Sequence, residues 1–238
     1  MNSGLDYLGE FLQVFPGMDA GKINRLVIYL QLVLKKNQQT NLTAITNWEE
    51  AVIKHLYDSL MVVRWPFWPT ASKILDLGTG AGFPGIPLAI LCPQQQYCLV
   101  EANKKKAEFL SFIKNELRLD NISVVNDRAE NIARQQKYRE QYEIVTARAV
   151  ANTAVLLELA IPLCQKDGYF IAYKGGNYQN ELALAQNAIE ILDAPLVKEI
   201  PYELPNDFGR RCLLIFQKTK TTPDKYPRRP GIPEKRPL

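Results

Sequence analysis

Ile74-Leu75-Asp76-Leu77-Gly78-Thr79-Gly80-Ala81-Gly82-Phe83-Pro84-Gly85 is the stretch that sets the fold of this chain. Lys73 to Leu77 has the length and apolar content of a short buried strand, and Gly85 to Leu91 reads as the helix that follows. Between them the glycines supply a turn that can take positive φ and let a ligand come close to the backbone. Strand, glycine turn and helix in this order make a nucleotide-cradling βα unit. Gly80 to Gly85 formally satisfies G-x-G-x-x-G, and Glu101 follows at roughly the twenty-residue distance of a dinucleotide fingerprint. Asp76 speaks against a dinucleotide, because it stands at the carboxyl end of the strand, where a bound pyrophosphate would meet a like charge. S-adenosylmethionine has no phosphate and carries a cationic sulfonium and a cationic α-ammonium. An acid at the strand tip for the cationic end, and a second acid, Glu101, for the ribose hydroxyls, suit that methyl donor better.

Outward from this unit, the pattern after Lys73 alternates strand and helix, which predicts a mostly parallel sheet with helices on both faces. The expected strands are Lys73–Leu77, Tyr97–Glu101, Ile122–Asp127, Glu143–Ala147, Gly168–Tyr173, Val197–Tyr202 and Cys212–Gln217. The expected helices are Gly85–Leu91, Lys104–Leu117, Glu130–Gln136, Thr153–Leu163 and Tyr178–Leu192. A ligand then belongs beyond the carboxyl ends of the first strands. Before the sheet, Ile23, Leu26, Val27, Leu30, Val33 and Leu34 fall at helical spacing and end in Lys35-Lys36-Asn37. A second helix is predicted from a Thr46/Glu49 capping box through Trp48 toward Val63, stopped by Pro66. After Lys218 the composition shifts to basic residues and prolines at 223, 227, 230, 233 and 237, which predicts an extended arm. The expected division is a helical extension over 1–70, an α/β domain over 71–218 and a basic arm over 219–238.

The chain has 238 residues, is 47% hydrophobic and carries a formal charge of +4, enough for one full-size α/β domain and compatible with an anionic partner. Its four cysteines have no C-x-x-C spacing, and with a single histidine they make no recognisable zinc site; they are expected to be reduced core thiols, with no metal bound. Asp6 and Glu10 interrupt the apolar pattern at the N-terminus, and no apolar run reaches the length of a membrane span, so the expectation is a cytoplasmic protein with no membrane partner.

The chain resembles the bacterial 16S rRNA guanine-N7 methyltransferases known as RsmG or GidB. The resemblance rests on Asn41-Leu42-Thr43-Ala44-Ile45, His55-Leu56-Tyr57-Asp58-Ser59-Leu60, the glycine loop, Val100-Glu101-Ala102-Asn103-Lys104-Lys105-Lys106, Arg128-Ala129-Glu130, Ala147-Arg148-Ala149 and Tyr226-Pro227-Arg228-Arg229-Pro230-Gly231. It implies a Rossmann-like class I S-adenosylmethionine-dependent methyltransferase fold, with seven strands ending in an antiparallel hairpin and a helical N-terminal extension. It also implies 16S rRNA or the small ribosomal subunit as partner. The donor site is expected to comprise Asp76, Gly78, Gly80, Phe83, Glu101, Ala129, Glu130 and Arg148. Arg148 belongs to the donor site by the resemblance and could also donate to guanine O6. Ala147-Arg148-Ala149 stands where methyltransferases of exocyclic amines often carry an Asn/Asp-Pro-Pro-aromatic motif. Guanine N7 has an in-plane lone pair and no proton, so placement rather than acid–base catalysis is expected, with no catalytic residue assigned.

Other groups have blander readings beside the functional ones. His55, with Lys54 and Asp58 as helical neighbours, reads as a structural hydrogen-bonding residue before a catalytic base. Asp127 reads as a helix cap. Lys104-Lys105-Lys106 is a solvated face or a phosphate contact, and Lys174-Gly175-Gly176-Asn177 is a candidate RNA-backbone contact. Phe83 and Tyr173 are candidates to pack on a base, or simply core. Two other functions compete: a nicotinamide-dependent oxidoreductase using the formal fingerprint, and a non-catalytic RNA-binding module.

Overall fold

The computed structural model describes residue 9 and residues 12–148 and 151–238, with backbone only at Pro69. Asp6, Glu10 and Ala149 of the readings above lie outside the described residues. Helix α1 (Ala20–Asn37) buries the expected apolar face through Ile23, Leu26, Val27, Leu30 and Val33, and the Asp19 carboxylate caps it by accepting from the Lys22 N–H. Helix α2 (residues 48–60) starts one residue later than the Thr46/Glu49 box requires. Its cap is Asn47, whose side-chain oxygen accepts from the Glu50 N–H at 3.0 Å. Within α2, Val52–Tyr57 is π-helical, and the Asp58 N–H donates to the Ile53 carbonyl five residues back.

The α/β part follows as β1 (Lys73–Leu77), α3 (Gly85–Leu91), β2 (Gln96–Val100), α4 (Lys104–Glu116), β3 (Ile122–Val125), α5 (Ala129–Ile132), β4 (Tyr142–Arg148), α6 (Thr153–Ala160), β5 (Cys164–Gly175), α7 (Gln179–Leu184), α8 (Gln186–Ile191), β6 (Leu196–Glu203) and β7 (Arg210–Gln217). The seven strands form one sheet in the order β3-β2-β1-β4-β5-β7-β6. All neighbours are parallel except β7, which runs antiparallel to both β5 and β6. The helix expected over Tyr178–Leu192 is divided at Ala185, whose N–H closes a tight turn onto the Leu182 carbonyl three residues back.

Alternation along the strands sends Ile74, Leu99, Ile144, Ile171, Leu213 and Ile215 to one face and Leu75, Val100, Val145, Phe170, Leu214 and Phe216 to the other. The first face is covered by α1, α2, α3 and α4, so Leu26, Leu30, Leu56 and Leu60 share one core with Ile86, Leu88 and Ile90. The second is covered by α6 and α8, with Tyr226 joining them.

The segment after β7 corrects the expected extended arm. Lys218 is fully buried, its Nζ donating to Glu140 Oε1 at 2.6 Å and to the carbonyls of Ile161 and Cys164. Arg139 collects the carbonyls of Thr222, Pro223 and Tyr226, and Arg134 takes that of Pro227. Arg228 is chelated by the fully buried carboxylate of Glu158, with contacts of 2.6 to 3.1 Å, and a one-turn helix α9 (Ile232–Lys235) follows. Proline removes the N–H groups a sheet would need, but the carbonyls remain and arginines can satisfy them. A proline-rich basic segment can therefore dock without regular secondary structure.

Candidate functional site

A cavity of about 450 Å³ opens at the carboxyl ends of β1, β2 and β4, where Leu77, Val100 and Arg148 reach its wall. This is the position beside β1 at which strand order reverses, so loops leaving opposite directions open a crevice. Gly78, Gly80, Phe83, Glu101, Ala129, Glu130 and Arg148 all line it.

Asp76 does not. It is fully buried beneath the loop, with Oδ2 accepting from the Thr79 hydroxyl at 2.5 Å and the Gly85 N–H at 2.9 Å, and Oδ1 accepting from the Thr146 hydroxyl at 3.0 Å. Burial raises its pKa to about 6, against the opposing pull of those hydrogen bonds and of Arg148. The strand tip thus ends in a carboxylate turned into the protein, where it ties β1, β4 and the loop together. Gly85 is required beside it: a Cβ there would lie 2.9 Å from Asp76 Oδ2. The expected contact of Asp76 with the cationic end of a donor is replaced by a role in holding the loop.

The rest of the loop explains which ligand it suits. The N–H groups of Thr79, Gly80, Gly82, Phe83 and Gly85 donate to the Val100 carbonyl, Glu101 Oε2, the Thr79 carbonyl twice, and Asp76 Oδ2. These amides are spent within the protein, so the fingerprint glycines do not offer them to a pyrophosphate. Glu101, 8% exposed, accepts from the Gly80 N–H at 2.9 Å and the Asn103 N–H at 2.7 Å. A carboxylate has about four acceptor sites, so one fixed by two backbone donors still has acceptors for a ribose diol at the cavity wall. Gly80 holds φ +62°, which aims its N–H at this carboxylate.

Along the same wall, Asp127 Oδ1 accepts from the Arg128 N–H and the Asn131 side chain and does not cap α5 in the ordinary way. Glu130 is buried, and its Oε1 accepts from the Gly231 N–H of the C-terminal segment at 3.0 Å. Pro233 and Glu234 consequently form part of the cavity rim, a contribution with no local sequence signal. Lys106 also lines the cavity, beyond the cap made by Asn103.

At the opposite end sits a cluster built by α2, the loop and β4. The His55 ring stacks on Phe83 at 4.3 Å between centroids, and the Arg148 guanidinium lies 5.2 Å from the Phe83 centroid. Phe83, 5% exposed, is thereby packed within the protein rather than left open to a base. Arg148 donates to the Lys54 carbonyl at 3.0 Å, to Asp58 Oδ2 at 3.1 Å and to His55 Nδ1 at 3.3 Å. Tyr202 donates to Asp58 Oδ1 at 2.6 Å. Arg148 therefore both pairs with Asp58 and lines the cavity. His55 is pushed down to about 3 by burial first and by the Arg148 charge second, which leaves it neutral near pH 7. The π-helical turn carrying His55 gives Lys54 and His55 this placement, and nothing in the periodicity of α2 announces it.

Two other expected contacts are taken up internally. Lys174 is buried, donating to the Ala151 carbonyl and to Glu181 Oε2 at 2.6 Å, and Tyr173 is core, its hydroxyl donating to the Ser59 carbonyl. A second cavity of about 490 Å³, which includes Lys54, Tyr173, Lys174 and Arg211, shares His55, Arg148 and Ala151 with the first. Among the described residues no group of histidine, cysteine and acidic side chains could hold a metal ion, and no helix is long and apolar enough to cross a membrane.

Residues 22–201 match the family model described as rRNA small subunit methyltransferase G. The chain is 43% identical to the ribosomal RNA small subunit methyltransferase G of Carboxydothermus hydrogenoformans, over 96% of this chain and 97% of that one. It is also 43% identical to the protein of the same name from Lachnoclostridium phytofermentans, over 93% of each. Among solved structures it is similar to an O-methyltransferase from Bacillus cereus in complex with SAH, with a TM-score of 0.59, 18% identity, and coverage of 91% and 97%.

Proposed function

Because the chain belongs to the rRNA small subunit methyltransferase G family, we propose that it transfers the methyl group of S-adenosylmethionine to N7 of a guanine in 16S rRNA. The observation that carries the reading is Glu101, a carboxylate fixed by two backbone amides at the cavity wall, beside a glycine loop whose amides at Thr79, Gly80, Gly82, Phe83 and Gly85 are already engaged. That combination suits a ribose without a phosphate and disfavours a nicotinamide dinucleotide.

The bound donor supplies an electrophilic methyl group on a sulfonium. Glu101 would accept from its ribose hydroxyls, and Gly78 and Gly80 let the loop backbone approach it. The wall around Asp127, Ala129 and Glu130 would receive the adenine, and the Arg148 end the methionine portion. On the acceptor, the N7 lone pair forms the new C–N bond as the C–S bond breaks and its electron pair returns to sulfur. N7 bears no proton, so no side chain need remove one, and a neutral His55 with both ring nitrogens engaged is consistent with that. Arg148 stands between the two cavities and can donate to guanine O6 from there.

The RNA strand is read onto a groove between α1 and α4. Lys35 and Lys36 from α1 face Lys105, Phe109 and Phe112 from α4 across it. Among the described residues these three lysines make no ion pair, and Phe112 is 47% exposed. Free cations beside an exposed ring suit a phosphate backbone with a stacked base. The test is to incubate the protein with labelled donor and, in parallel, naked small-subunit RNA and assembled small subunits, then map the modified base. Methylation at guanine N7 in either arm supports the reading; label at an exocyclic amine or a ribose, or none at all, overturns it.

A further inference from the structure

Thr43 has every polar atom but one committed. Its N–H donates to Asn37 Oδ1 at 3.0 Å, and its carbonyl accepts from Asn37 Nδ2 at 2.9 Å, so the side chain at the end of α1 fixes its backbone. Its Oγ1 accepts from the Ile45 N–H at 3.1 Å and lies 2.8 Å from His55 Nε2. The direction of that second bond follows from Arg148. A guanidinium can only donate, so His55 Nδ1, 3.3 Å from Arg148 Nη2, is the acceptor nitrogen. The neutral imidazole then carries its proton on Nε2 and donates it to Thr43. Both lone pairs of Oγ1 are thereby used, and its own proton has no acceptor among the described residues. Thr43 lines the donor cavity.

We propose that Thr43 is a binding residue whose hydroxyl donates into the cavity, to an acceptor oxygen of the ligand. The two candidates the test separates are the α-carboxylate of the methyl donor and the carbonyl of the acceptor base. The proposal rests on the methyltransferase reading. Arg148 and His55 act on it as positioning residues, because they set the direction of the hydroxyl. With both lone pairs of Oγ1 in use, a ligand group that can only donate, such as an ammonium, is disfavoured there.

The test uses the full-length protein with Thr43→Val, which is close in shape, and Thr43→Ser, which keeps the hydroxyl. Affinities for S-adenosylmethionine and for its decarboxylated form are measured by calorimetry, and turnover is measured on small-subunit RNA. If the partner is the carboxylate, Thr43→Val weakens S-adenosylmethionine about tenfold to a hundredfold, leaves the decarboxylated form unchanged, and Thr43→Ser restores affinity. If it is the base carbonyl, both donor affinities hold, KM for RNA rises, and Thr43→Ser restores it. Equal loss for both donors, a serine variant as impaired as the valine one, or no change in any readout overturns the proposal. A wild-type protein that neither binds the donor nor methylates RNA would instead overturn the underlying function.

Discussion

Asp76 and His55 are both buried titratable groups, and their protonation works in opposite senses. Asp76 has its folded pKa raised to about 6, above the unfolded value, so the native state holds a proton that the unfolded chain has released. Its contribution to stability is present at low pH and lost as pH rises through about 6. Between pH 5 and 7 the loss is on the order of 1 kcal/mol. His55 has its folded pKa lowered to about 3, so the unfolded chain binds the proton first. Its contribution is present above the unfolded pKa and declines as pH falls, by on the order of 2 kcal/mol from pH 7 to 5. The two slopes oppose each other in this window. Denaturant unfolding at pH 5 and 7 should show a steeper rise in stability with pH for Asp76→Asn than for the wild type; an equal rise would mean that Asp76 ionises normally. Because His55 carries no proton through the reaction, His55→Gln should leave the shape of the pH–rate profile unchanged between pH 6 and 9, even if its amplitude drops through Thr43. Loss of an acid limb in that profile would show that the histidine titrates during turnover.

Among the elements, the C-terminal segment departs furthest from its sequence pattern. Seven lysines and arginines from Lys218 onward suggest a solvated, RNA-seeking arm, yet Lys218 and Arg228 are the groups that dock it. Arg228→Ala would leave the fully buried Glu158 carboxylate without its cation, a loss of about 3–5 kcal/mol. In a chain of this size that lowers Tm by roughly 6–20 °C, measured by thermal melt. Replacing Glu158 together with Arg228 by apolar residues should cost much less; equal losses would mean that the pair is not what anchors the segment. Ending the chain at Thr219 should lower Tm and also weaken the donor, because Pro233 and Glu234 form part of the cavity rim and Glu130 loses the Gly231 N–H. Unchanged donor affinity in a folded truncated protein would remove that segment from the site.

For the molecule as a whole, charge placement separates cations that hold the protein together from those free to meet a polyanion. Arg134, Arg139, Arg148, Lys174, Lys218 and Arg228 all donate to internal carbonyls or carboxylates. Lys35, Lys36 and Lys105 line the groove between α1 and α4. Substituting these three by glutamine should flatten the slope of log K against log salt by about 0.7 for each phosphate no longer neutralised, with donor affinity and Tm unchanged. An unaltered slope in RNA-binding titrations would place the RNA on another face.

The sequence determined the sheet, because strand length, apolar alternation and glycine turns are local properties, and β1 and α3 fall at Lys73–Leu77 and Gly85–Leu91 as read. It also named part of the cavity wall: Gly78, Gly80, Phe83, Glu101, Ala129, Glu130 and Arg148 come from separate stretches of the chain and meet there. What it could not determine is which way a side chain faces once packed. Asp76 stands at a strand tip, where an acid can point to a ligand or into the loop. Three donors from Thr79, Gly85 and Thr146 turn it inward, and Thr146 lies on a neighbouring strand. The docking of the C-terminal segment likewise depends on Glu140, Glu158 and Arg139, contributed from elsewhere in the chain. The direction of the bond between His55 and Thr43 follows from a guanidinium from β4 that reaches the far side of the imidazole. Hydrogen-bond direction and burial of charge are set by partners brought together in space, and those only the tertiary structure decided.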